Sequence, residues 1–130
     1  MTKTATTTPT ATGGIWLLEE TPVGTVFTPE RLTEEHHLID QTAEEFVNNE
    51  ILPNHDRLET KDWTLARRLV SRAGELGLLA TDVAEEHGGL GLDKASTVVV
   101  GTRLGQAGSF GSTFGAHTGL TILPLHCFGT

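Results

Sequence analysis

The sequence contains no tyrosine, one methionine and a single cysteine, Cys127, so no disulfide can close within it. Structural disulfides belong to oxidising compartments, and their absence predicts a cytoplasmic location, with the mitochondrial matrix as the alternative. Basic residues are scarce as well: nine Lys and Arg face 17 Asp and Glu, a formal net charge of −8. Nucleic-acid binding needs clustered cations that displace phosphate counterions, and an anionic membrane surface asks for the same. The overall balance excludes both as general roles. No apolar run approaches the roughly 20 residues of a membrane-spanning helix. The opening MTKTATTTPTATGG has neither the apolar core of a secretory signal nor the arginines of a mitochondrial presequence.

Strand signals are also few. Val98-Val99-Val100 has β-branched character, but no alternating partner run lies near it. What remains reads as helix. Residues 1–14 are almost entirely Thr, Ala, Pro and Gly with little to bury, which predicts a mobile tail ahead of one domain over 15–130. Thr28-Pro29-Glu30 is a helix-start signal worth one short turn, since Thr33-Glu34-Glu35 repeats it at once. From there to about Leu52, apolar residues Leu38, Ile39, Ala43, Phe46, Val47 and Ile51 recur at three- and four-residue steps, and Pro53 is expected to stop the helix.

A second helix is predicted from Asp62 to Leu76, with Leu65, Leu69, Val70, Ala73 and Leu76 buried and Gly77 as its left-handed stop. Residues 82–93 should be a loop. A third helix starts after Asp93 with Ala95, Val98, Val99 and Leu104 inward, and a fourth spans about Ser112 to Phe128. The expected architecture is all-α: about four main helices in a bundle or orthogonal array.

Several residues suggest chemistry and fail a physical test. The glycines of GQAGSFGSTFG (Gly105–Gly115) lack the spacing of a phosphate loop and do not follow a strand, so they are read as sites of close helix approach or cavity lining. His36 and Asp40 stand four apart on a helix, but no third metal ligand accompanies them. His36 and His37 are therefore placed on a solvated face, and no metal is expected. His126 and Cys127 are sequence neighbours that point about 100° apart, which does not make a nucleophile pair. Cys127 is read as a small buried apolar residue. The paired acids, such as Glu44-Glu45 and Glu85-Glu86, show no opposed, desolvated geometry for acid–base work.

Ordered segments add a resemblance. FTPERLTEEHHLIDQTAEEFVNNEILP (Phe27–Pro53), AGELGLLA (Ala73–Ala80), EEHGGLGLD (Glu85–Asp93) and FGAHTGL (Phe114–Leu120), then FGT (Phe128–Thr130), together resemble the N-terminal helical domain of acyl-CoA dehydrogenases. GGIWLLEE (Gly13–Glu20) and the Gly-Ala-His of the later segment are similar to the very-long-chain-like branch. Departures accompany the match: Ala84 replaces the usual Pro, His87 the usual aromatic, and Thr102-Arg103 an acidic pair.

The resemblance implies an FAD-dependent enzyme that desaturates fatty acyl-CoA and passes electrons to an electron-transferring flavoprotein. The flavin site and catalytic base of that family lie beyond the segments matched, so neither catalytic nor cofactor-binding residues are assigned here. It further implies that Ser112, Thr113, Phe114, Gly115, Ala116 and Leu120 line the acyl chain. The alternative is a free-standing helical module that binds a partner or lipid without catalysis.

Overall fold

A computed structural model of the chain describes residues 14–129. The expectation of a mobile tail falls almost wholly outside the described residues. Two compact units divide the chain, Met1–Thr33 and Glu34–Thr130. In the first, single 3-10 turns occupy Ile15–Leu17, Val23–Thr25 and Pro29–Arg31. Pro29 opens the last of these, as its fixed φ favours, although the Thr28 hydroxyl makes no cap bond to the backbone. Arg31 Nη1 donates to the Gly24 and Val26 carbonyls at 3.3 and 3.2 Å, closing the segment on itself.

The second unit is all-α, with four main helices and no strand among the described residues. Helix α1 (Glu34–Phe46) runs on through a π-helical stretch, Val47–Ile51. Pro53 does not end the helical path there. It sits in the first turn of a 3-10 segment, Leu52–Asn54, that leads into the short α2 (His55–Glu59). Proline lacks an N–H, and a first turn needs none.

Helix α3 (Trp63–Glu75) begins where its cap predicts: Asp62 Oδ1 accepts the Leu65 N–H at 3.0 Å. It ends on Gly77 at φ +76°, with Gly77 N–H donating to Gly74 O and Leu78 N–H to Ala73 O, both 2.9 Å. Helix α4 (Lys94–Leu104) is capped by Asp93, which accepts the Ser96 N–H at 3.0 Å. The fourth main helix is α5 (Ser109–Gly115), a π-helical stretch Ala116–Ile122, and α6 (Leu123–Phe128), in unbroken succession.

Helix α1 packs along α4, while α2 touches both α3 and α5. The core draws Ile39, Ala43, Phe46 and Ile51 from the first helix and its extension, Leu65, Leu69 and Ala73 from α3, Val100 and Leu104 from α4, and Phe110 and Phe114 from α5. Phe46 and Phe110 meet edge-on at its centre, ring centroids 6.1 Å apart. Each such side chain contributes roughly 1.5–3 kcal/mol by leaving water.

Some expected orientations differ. Leu38 and Val98 are exposed. His36, expected on a solvated face, is buried, because Asp93 accepts a 2.8 Å hydrogen bond at its Nε2 from across the fold.

Candidate functional site: a glycine-lined groove between α4 and α5

A groove of about 210 Å³ opens between α4, the fourth helix and the turn after α3. Leu78, Leu79, Thr81 and Asp82 form one rim; Thr97, Val100, Gly101, Leu104 and Gly105 give the α4 wall. Gly111, Phe114, Gly115, Thr118, Gly119 and Leu123 form the opposite wall. Its lining is largely apolar, and glycines decide its shape.

Gly111 allows the two walls to meet. A Cβ there would lie 2.5 Å from the Leu104 carbonyl oxygen, closer than van der Waals contact permits. Gly101, Gly115 and Gly119 differ: each lines the groove, and a Cβ on any of them would meet nothing within 4 Å. The π-helical stretch Ala116–Ile122 carries Thr118 and Gly119 onto this wall. Wide turns of that kind are rare and cluster at functional sites.

Polar groups gather at one end. Lys94 Nζ pairs with the Asp82 carboxylate, and the Thr81 and Thr97 hydroxyls lie 3.2 Å apart. Partial burial pushes the Asp82 pKa up, but the bond from Lys94 and its charge outweigh that and hold it below the usual aspartate range. The Asp82 carboxylate is therefore ionised at neutral pH beside Lys94.

Of the six residues assigned by resemblance, Phe114 and Gly115 line this groove. Ser112, Thr113, Ala116 and Leu120 are exposed and lie outside it. Sequence reasoning missed Val100, Gly101 and Leu104 on the facing wall. Their membership depends on how α4 packs on α5, for which the chain carries no local signal.

The glycine cluster does not present a phosphate cradle. Gly108 turns the chain at φ +56°, and the Ser109 N–H that follows is bonded at 2.9 Å by the Glu59 carboxylate. The Ser109 bonds hold the Glu59 pKa down, so a negative charge already occupies the position a phosphate would take.

His36 and Asp40 diverge to separate partners. Asp93 Oδ1 takes His36 together with the Ser96 N–H and hydroxyl, whereas Asp40 takes Arg103. Among the described residues no three potential ligands converge on a metal position. Cys127, expected to be buried, is exposed; it lies on α6, where among 123–128 only Leu123 is even partly covered.

Residues 33–130 match the family model for the acyl-CoA dehydrogenase N-terminal domain. A probable acyl-CoA dehydrogenase of Bacillus subtilis is 42% identical over 118 residues, covering 91% of this chain and 20% of the relative. The long-chain specific mitochondrial enzyme of Rattus norvegicus is 31% identical over 96 residues, 74% of this chain and 22% of its own length. The crystal structure of an acyl-CoA dehydrogenase complexed with FAD from Bacillus anthracis superposes with a TM-score of 0.86 at 45% identity, over 91% of this chain and 20% of that one. The chain thus spans about a fifth of the length of these relatives. Family model, relatives and fold agree: the chain belongs to the acyl-CoA dehydrogenase family and forms its N-terminal helical domain.

Proposed function

We propose that this domain walls one side of the acyl-chain tunnel in a flavin-dependent dehydrogenase that desaturates fatty acyl-CoA between its α and β carbons. One observation carries the reading: the groove is apolar and kept open by Gly101, Gly115 and Gly119, whose Cβ positions are empty. An alkyl chain asks for that surface and for little else. The lack of a side chain at Gly115 favours long chains, in keeping with the resemblance to the very-long-chain-like branch. The named relatives leave length open, since a short-chain specific mitochondrial enzyme of Mus musculus is 32% identical over 107 residues.

At about 210 Å³ the groove falls below the roughly 300–1,000 Å³ of ordinary ligand pockets, and a flavin dinucleotide does not fit within it. FAD and the catalytic base are assigned to other parts of such an enzyme, and the chain alone is inactive. Electrons would pass to an electron-transferring flavoprotein, in the cytoplasm.

Grafting residues 13–130 in place of the matched segment of the Bacillus subtilis relative tests the tunnel. The chimera should bind flavin and bleach it with acyl-CoA. Gly119→Leu should then lower kcat/KM for the longest chains about 10-fold or more relative to short ones, with flavin content unchanged. An unchanged chain-length profile in a flavin-loaded Gly119→Leu chimera would overturn the tunnel role. Reducible flavin at about one per chain in the ungrafted protein would overturn its inactivity.

A further inference from the structure

Charge is distributed unevenly along this acidic chain. Residues 57–72 hold Arg57, Lys61, Arg67, Arg68 and Arg72, five of the nine basic residues, against only Glu59 and Asp62. Both of those acids are committed. Glu59 takes the Ser109 N–H, and Asp62 caps α3 and binds Arg57 at 2.7 Å. Arg72 is held by Glu50 and Glu75. Lys61, Arg67 and Arg68 are exposed and form no ion pair among the described residues.

An aromatic side chain accompanies these three cations. Trp63 is 64% exposed in the first turn of α3. Arg67 follows four residues later, which places it beside Trp63 on the helix surface; Arg68, also exposed, points about 100° further round the helix. Lys61 stands just ahead, in the turn between α2 and α3. There it holds φ +67°, a left-handed conformation that favours glycine, with its N–H donating to Leu58 O and the next N–H to Arg57 O, both 3.0 Å. Lys61 thus brings a third positive charge to the turn two residues ahead of Trp63.

We propose that this face of α3, built on Trp63, Arg67, Arg68 and Lys61, docks an acidic protein surface, with Trp63 entering an apolar slot on the partner. Tryptophan and arginine are the residue types that most often carry binding energy at protein interfaces, and lone surface cations add rate and register when the partner is of opposite sign. The remainder of the chain, strongly acidic, disfavours an anionic membrane or a nucleic acid as occupant, because both would present negative charge across a much wider area than this patch. A protein surface can match the patch alone. The groove between α4 and α5 has no part in this inference, so the two readings stand or fall separately.

A display library of random peptides of about 12 residues, selected on the full chain and counter-selected on Arg67→Glu/Arg68→Glu, tests the proposal. Enriched peptides should carry several Asp or Glu around one bulky apolar residue. In a Trp16→Phe background, a selected peptide should shift Trp63 emission to the blue, and its affinity should fall about 10-fold between about 50 and 300 mM salt. Trp63→Ala and Arg67→Gln/Arg68→Gln, both solvent-facing changes, should weaken binding about 10-fold while leaving the circular dichroism of the chain unchanged. Peptides without acidic enrichment, or acidic peptides that bind the charge-reversed variant equally well, overturn it. So does tighter binding to phosphatidylserine vesicles or to duplex DNA than to any selected peptide.

Discussion

Gly88 and Gly89 are neighbours in the loop before α4, and each is glycine for a different reason. Gly88 has φ +81° with nothing within 4 Å of a built Cβ, so its constraint is conformational. Gly89 has an ordinary φ, but its Cβ would lie 2.1 Å from the Val83 carbonyl oxygen. That oxygen cannot retreat easily, since it accepts the Gly91 N–H at 2.8 Å and Val83 is itself buried. Gly88→Ala should therefore cost about 1 kcal/mol, the ordinary left-handed penalty. Gly89→Ala should cost about 3 kcal/mol, because backbone must move. Urea titrations of the two variants check the difference, and equal losses would show that the Val83 contact does not govern this loop. The Gly-Gly pair is visible in the sequence; which member is sterically blocked is not, because Val83 lies on a separate part of the loop.

At the scale of elements, helix ends other than the one expected at Pro53 were legible and helix partners were not. Asp62, Gly77 and Asp93 mark their boundaries through bonds to residues within a few positions, and a local cause leaves a local signal. His36 and Arg103 are decided by partners far away in sequence. Arg103 stands where the resembled family carries an acid. Its guanidinium joins α4 to α1, with both Asp40 oxygens at 2.6 Å and Glu44 Oε1 at 2.8 Å. The departure from the family pattern is thus matched by two acids on the facing helix. The Arg103 hydrogen bonds are the main reason the Asp40 pKa lies below the usual aspartate value. A depressed carboxylate contributes stability that is fully present above its unfolded pKa and disappears as pH falls through the folded one. Asp40→Asn should lower stability at pH 7 and reduce the further loss seen on acidification below the ordinary aspartate range. Denaturant midpoints at several pH values measure this. Parallel curves for variant and parent would mean the clamp does not contribute.

Across the whole molecule, burial is lopsided along the fourth helix. Phe110 and Phe114 sit in the core at its start, whereas Leu120, Leu125 and Phe128 are 79%, 65% and 85% exposed towards its end. The apolar character of this segment fitted a fourth helix in the sequence but could not say that its apolar residues divide between a core, a groove and an uncovered surface. In α6 only Leu123 is partly covered, and His126 meets His87 of the loop before α4 edge-on, ring centroids 6.0 Å apart. Leu125 and Phe128 are three residues apart and form one apolar ridge in water. Contiguous exposed apolar surface of this kind drives association. The chain should therefore sediment as a concentration-dependent mixture. Leu125→Lys/Phe128→Lys removes the ridge and places cations near a helix C-terminus, where the macrodipole favours them. The double variant should behave as a single chain at every concentration, with unchanged helix content by circular dichroism. If parent and variant sediment alike, α6 is not the adhesive surface, and the apolar residues of the first unit, Trp16, Leu17 and Leu18, are the next to replace.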